Sequence, residues 1–252
     1  MKKRWIYPTS SLIIFVGIWE ILGRLLKVPA YILPVPTQIF QSLITEFNVL
    51  LTHSLVTLTE ALIGLVLAAI LALVIGIAMD ACQPVKWAIY PHLVISQTIP
   101  ILVLGPIFSI WFGFGMTPKI LMVVLMCFFP ISVAFTDGLK NVNQKKITLL
   151  KTYGASTRQI YQRVKIPEAF PAFLSGLKIS ATYCIGGAIV GEWLSASAGL
   201  GYYMIRAKNG YLLDNVFASI IMIMTLSLLL NASVSLIHYI LIKKRMIPNE
   251  KN

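Results

Sequence analysis

Long apolar runs follow one another through the whole chain, separated by short polar intervals. A helix needs roughly 20 apolar residues to cross the hydrocarbon core of a bilayer. Six runs meet that requirement, at about 10–26, 56–79, 87–112, 119–136, 171–193 and 216–242. Several contain residues that would break a helix in water: Pro100, Gly105, Pro106, Gly186, Gly187 and Gly191. Within a bundle, neighbouring helices re-satisfy the freed backbone groups, so these positions do not demote the runs. The segment Pro100–Gly105 and the pair Gly186 and Gly187 are the best places for irregular backbone lining a pathway, with close helix packing as the alternative for the glycines. The pattern predicts an all-α membrane protein with six transmembrane helices. No internal repeat, low-complexity tract or linker interrupts it, so residues 1–252 read as one domain.

The polar intervals carry elements of their own. Between the first two runs, Pro34–Val35–Pro36–Thr37 is a helix-start signal. Ile39, Phe40, Leu43, Ile44, Phe47, Leu50 and Leu51 then recur at helical spacing, which predicts an amphipathic helix over Gln38–Leu51 lying in the outer interface. The interval 140–167 predicts two short helices with a bend. Ile147, Leu149, Leu150 and Tyr153 give the first an apolar side, and Gly154 stands where a left-handed C-terminal cap is wanted. Ser156 with Gln159 is a capping-box pattern for the second, and Pro167 is expected to stop it. A rigid elbow of this kind suggests the docking of a partner; a basic loop resting on anionic lipid head groups is the alternative.

Composition agrees with the pattern. The chain is 58% hydrophobic and only 12% charged, with a mean hydropathy of +0.82, whereas a soluble domain carries about 25% charged residues. A water-soluble globule is thereby excluded. The 21 Lys and Arg against 9 Asp and Glu give a net charge of +12, and their positions explain the excess. Lys2, Lys3, Arg4, Lys86, Lys140, Lys145, Lys146, Lys151, Arg158, Arg163, Lys165, Lys243, Lys244, Arg245 and Lys251 fall on one side of the six-span arrangement. Arg24, Lys27, Lys119, Arg206 and Lys208 fall on the other, with Lys178 inside span five. Basic residues are retained on the cytoplasmic side, so both termini are expected there and nucleic-acid binding is not. Lys2–Lys3–Arg4 ahead of an apolar run has the form of a signal peptide. Glu20 interrupts that run and no small-x-small cleavage site follows, so it reads as an uncleaved first helix.

Candidate chemistry is sparse. The sequence has no GxxxxGK[ST] loop, no HExxH and no GxSxG. His53, His92 and His238 fall on separate elements without ligand spacing, so no metal site is expected. Cys82, Cys127 and Cys184 are scattered singly and read as small buried hydrophobes. No catalytic residue and no bound cofactor are indicated.

Gly154, then nine residues, then Val164–Lys165–Ile166–Pro167 resembles the EAA loop of the permease subunits of bacterial ATP-binding-cassette importers. The likeness continues in order through Pro100, Leu104–Gly105–Pro106, Trp111–Phe112–Gly113–Phe114–Gly115, Phe128–Phe129–Pro130, Gly154–Ala155–Ser156, Pro167–Glu168–Ala169–Phe170–Pro171, Gly176–Leu177–Lys178 and Gly199–Leu200–Gly201–Tyr202. These motifs resemble the nitrate, sulfonate and taurine branch, and Gly191–Glu192–Trp193–Leu194 with Tyr203–Met204 looks closest to its thiamine-precursor pyrimidine group. Thr148–Leu149–Leu150 stands where the loop's Glu-Ala-Ala would be, so only the Gly154 bend and its flanking faces carry over.

The resemblance implies a type I importer permease fold in the bacterial cell membrane, with a cytoplasmic coupling-helix loop over about 140–167. It implies a second permease copy as a homodimer, separate ATPase subunits that hold ATP and Mg, and an extracytoplasmic substrate-binding protein. The coupling face would comprise Lys151, Tyr153, Gly154, Ala155, Ser156, Arg158, Gln159 and Pro167. Ser195–Asn215, too short and polar to cross, would be an outer gate contacting the delivery protein or a plain external loop.

Polar groups inside spans are expensive to bury and are functional candidates by default. Glu60, Gln97, Thr98, Pro100, Tyr183, Gly187 and Glu192 are the candidate pathway residues, with Glu20, Ser96, Ser109, Ser180 and Thr182 also polar within runs. Hydration, or pairing of Glu60 and Glu192 with Arg206 or Lys208, is the competing account of the two acids. Anion importers of the branch favour a basic residue where Glu60 stands, so a neutral or weakly cationic solute is expected. A self-sufficient secondary transporter or channel is the alternative class, and it should show a half-repeat and a midplane ion site. An intramembrane enzyme should show His or paired acids at bilayer depth. Neither signature is present in the sequence.

Overall fold

The computed structural model describes residues 3–195 and 197–246, so Lys2, Lys251 and Ala196 lie outside the described residues. Every regular element among them is helical: α1 (Lys3–Leu25), α2 (Pro36–Thr45), α3 (Phe47–Ala81), α4 (Gln83–Ser96), α5 (Ile101–Phe112), α6 (Met116–Lys140), α7 (Gln144–Thr152), α8 (Thr157–Ile160), a π-helical turn (Tyr161–Lys165), α9 (Ile166–Ser195), α10 (Leu200–Asn209) and α11 (Leu213–Met246). Among the described residues, five stretches are long and apolar enough to cross a membrane: Ile6–Leu25, Phe47–Ala81, Met116–Lys140, Thr157–Leu194 and Leu213–Leu241. The third expected span, 87–112, is broken. Its halves α4 and α5 meet at an angle of 105°, and at 1.5 Å rise per residue each is only about 20 Å long, short of the roughly 30 Å core. The break follows from Pro100, which has no N–H to give and pushes Ile99 out of the helical region.

The chain divides into two compact units, Met1–Thr57 with Ser197–Thr225, and Leu58–Ala196 with Leu226–Asn252. In the first, α2 starts at Pro36 with the Gln38 side chain accepting from the Val35 N–H at 3.0 Å. Glu20 of α1 accepts from the Thr37 N–H at 3.0 Å and from its hydroxyl at 2.9 Å, and also pairs with Arg24 at 2.6 Å. A carboxylate at a helix N-terminus complements the helix dipole, so Glu20 ties α1 to α2. The amphipathic helix expected over Gln38–Leu51 is divided at Glu46: α2 ends, and Phe47–Leu51 open the long span α3. Periodicity could not reveal this division, because Leu43 before it and Leu50 after it pack into the same cluster with Leu200 and Ala218.

In the second unit, α6 and α9 pack at very short range. A Cβ at Gly176 would lie 2.9 Å from the Ile131 Cα, one at Gly187 3.2 Å from the Val123 Cα, and one at Gly191 2.9 Å from the Lys119 Cα. Small residues let membrane helices approach and bond across their backbones; here the Ser180 hydroxyl donates to the Cys127 carbonyl at 2.8 Å. α9 runs unbroken through Gly186 and Gly187, so the irregular backbone considered there does not occur. Cys127 and Cys184 are buried, but Cys82 is exposed because it caps α4 in the short turn after α3.

Candidate functional site

The elbow is built from local chemistry. α7 begins at Asn143, whose side chain accepts from the Lys145 N–H at 2.9 Å. It ends at Gly154, where φ is +76°. The Gly154 N–H donates to the Lys151 carbonyl at 2.9 Å and the Ala155 N–H to the Leu150 carbonyl at 3.0 Å, the paired bonds of a Schellman cap. Ser156 opens α8: its N–H donates to Gln159 Oε1 at 2.8 Å, and its hydroxyl accepts from the Gln159 N–H at 3.4 Å. Beneath the bend Val142, Ile147 and Ile160 form a small core with Leu150, Ala155 and Val164 against it. Two capped helices over their own core make a rigid corner. Its outer surface is open: Lys151, Tyr153, Gly154, Ser156, Arg158 and Gln159 are exposed and Ala155 is half-buried. Leu149 and Tyr153 present apolar side chains there, Tyr153 with 79% of its surface free.

Pro167 does not stop the second helix. The chain continues through the π turn, in which the Ile166 N–H donates to the Tyr161 carbonyl five residues back, and on into α9. A proline ring presses on the carbonyl four residues before it, here Arg163, and the wider turn accommodates that clash without ending the helix. The elbow is thus joined directly to a membrane span.

A buried charge cluster lies farther along the second unit. Lys119 at the start of α6 donates to Glu60 Oε1 of α3 at 2.8 Å, with the two side chains 6% and 1% exposed. Glu192 of α9 is also buried and lies beside Glu60. Glu60 and Glu192, separate candidates in the sequence, meet here, and Lys119, which there counted only as an orientation charge, joins them. The considered pairing of Glu60 with Arg206 or Lys208 is replaced by Lys119; Arg206 instead donates to the Tyr202 hydroxyl at 3.2 Å. Gln97, Thr98 and Pro100 are exposed in the break between α4 and α5. Non-helical backbone at membrane depth is tolerated only where it is buried in protein or lines a watery cavity. Tyr183 is exposed on α9, and Gly187 is packed under Met126 and Val123.

Ser197–Gly210 is more than a loop. Gly199 has φ +111° and precedes α10, whose first amides are capped from a distance. The Gly199 N–H donates to His53 Nδ1 at 3.0 Å and the Leu200 N–H to the Thr57 hydroxyl at 2.9 Å. His53 and Thr57 lie one turn apart on α3, a role no sequence pattern signals. Beside them Glu46, His53, Tyr202, Tyr203 and Arg206 line a cleft of about 350 Å³. Burial, then the nearby Glu46 and Asp214 carboxylates, push the Tyr203 phenol up to about 12.

Residues 64–247 match the family described as "Binding-protein-dependent transport system inner membrane component". The chain belongs to that family. Its members are the non-catalytic membrane permeases of ATP-binding-cassette transporters, in which ATP hydrolysis belongs to a separate subunit, so the chain is a multi-pass membrane protein. It is 39% identical over 248 residues to the formylaminopyrimidine transport permease protein ThiX of Halalkalibacterium halodurans, covering 97% of this chain and 99% of the relative. It is 37% identical to a probable ABC transporter permease of Haemophilus influenzae, covering 93% and 96%. A putative aliphatic sulfonates transport permease, SsuC of Bacillus subtilis, is 31% identical over 97% of this chain and 90% of its own length. Among solved structures, the inward-facing MetNI methionine ABC transporter superposes with a TM-score of 0.67 at 17% identity, covering 77% of this chain and 97% of that one. The fold is that of the type I importer permeases.

Proposed function

We propose that this permease forms, as a homodimer, the translocation pathway of an ATP-driven importer for a small neutral or weakly cationic solute of the aminopyrimidine class. The observation that carries the coupling half of this reading is the doubly capped, exposed elbow fused to span five. A lever must be stiff to transmit a domain movement, and its Leu149 and Tyr153 face suits the groove of an ATPase that holds ATP and Mg. With the basic elbow on the cytoplasmic side, both termini are cytoplasmic. The α10 segment then faces outward, where a substrate-binding protein delivers solute.

The solute class rests on two supports. The formylaminopyrimidine permease is similar over nearly the whole of both chains, and the one basic residue of the buried cluster, Lys119, is already paired with Glu60 and so offers no free positive charge to an anion. Competition uptake in cells carrying the full system tests the class. Hydroxymethyl-aminopyrimidine should block uptake while taurine and nitrate do not; block by either anion and not by the pyrimidine contradicts it and leaves family membership untouched.

A further inference from the structure

A second polar cluster sits where the elbow joins span five, and it involves none of the residues assigned to coupling above. Asp80 is the penultimate residue of α3, and its side chain is 6% exposed. Its Oδ2 accepts from the Tyr161 hydroxyl at 2.5 Å and from the Lys165 ammonium at 2.6 Å. The same ammonium lies 4.9 Å from the centre of the Tyr161 ring. Tyr161 and Lys165 are the first and last residues of the π turn. One carboxylate oxygen therefore grips both ends of the irregular turn.

The arrangement has a mechanical consequence. A π turn departs from the regular hydrogen-bond ladder and is commonly found at functional positions. Left to itself, such a joint between α8 and α9 would absorb displacement of the elbow. Tied to Asp80, the turn cannot shift against the end of α3 without breaking two charge-assisted hydrogen bonds, which are among the stronger kinds.

We propose that Asp80 is a positioning residue for coupling: it locks the π turn to the end of α3, so that elbow movement reaches α3 and α9 together. This rests on the coupling role proposed above for the elbow. In this role Asp80 acts through its partners Tyr161 and Lys165.

The test uses the complete system, permease with its ATPase and binding protein, in proteoliposomes, with uptake and ATP hydrolysis read on the same vesicles. The informative quantity is solute imported per ATP hydrolysed, which a purely structural role, lowering the amount of intact complex, leaves unchanged. Asp80→Asn should lower that ratio about fivefold, within the usual range of coupling energies, while ATPase pull-down is retained. Tyr161→Phe should lower it by about half that factor, and Lys165→Arg, which keeps a charged donor, should preserve it. A wild-type ratio in Asp80→Asn overturns the proposal. Should Asp80→Asn fail to assemble, Tyr161→Phe and Lys165→Met decide: a lowered ratio in either supports the lock, and wild-type ratios in both overturn it. Absence of ATP-driven uptake by the wild-type system would instead refute the elbow's coupling role, a result distinct from either.

Discussion

Gly154 carries the bend of the elbow because an L side chain at φ +76° meets its own backbone. Gly154→Val places a β-branched residue there at a local cost of about 1–2 kcal/mol. The position is exposed and nothing packs on it, so expression and insertion should be retained while ATPase stimulation and ATPase pull-down fall. Lys119 and Glu60 pose the opposite problem, since removal of one partner strands a buried charge. Lys119→Met should destabilise the protein by about 3–5 kcal/mol, and Glu60→Gln combined with it should recover much of that. Thermal unfolding in detergent of the two single variants and the double variant reads the coupling directly. Thr57→Val removes the acceptor for the Leu200 N–H. A buried unsatisfied amide costs about 1–3 kcal/mol, so hydrogen exchange at the start of α10 should accelerate.

At the scale of elements, the break between α4 and α5 is the feature most exposed to test. If Gln97 and Thr98 line a watery passage, Gln97→Cys and Thr98→Cys should react with a membrane-impermeant thiol reagent in a Cys82→Ser background. Val123→Cys, fully buried, should not. The sequence shows why some elements were legible and others not. Apolar length located the five long spans, because the bilayer imposes it, but could not show that 87–112 is broken; the caps of the elbow were readable because Gly154, Ser156 and Gln159 act on backbone groups within five residues. The continuation through Pro167 was not readable, since it depends on a π turn whose ends are tied to Asp80 far away in sequence. Likewise the Lys119–Glu60 pair and the caps from His53 and Thr57 join residues on different helices, and periodicity reports only the helix it is read from.

For the whole molecule, family membership and fold fix the kind of machine, and the elbow and the buried cluster suggest how it is driven and what it carries. With both termini cytoplasmic, as proposed, a tag at either terminus should be protected from external protease in intact cells and cleaved in inverted vesicles. As proposed, the chain is a passive pathway moved by a separate ATPase through its elbow. The most direct measurement is uptake into proteoliposomes of the permease alone and of the permease with its ATPase and binding protein, each with ATP and with an imposed ion gradient. The permease alone should show no uptake under either condition, and the full complex ATP-dependent uptake. Robust gradient-driven uptake by the permease alone would contradict it.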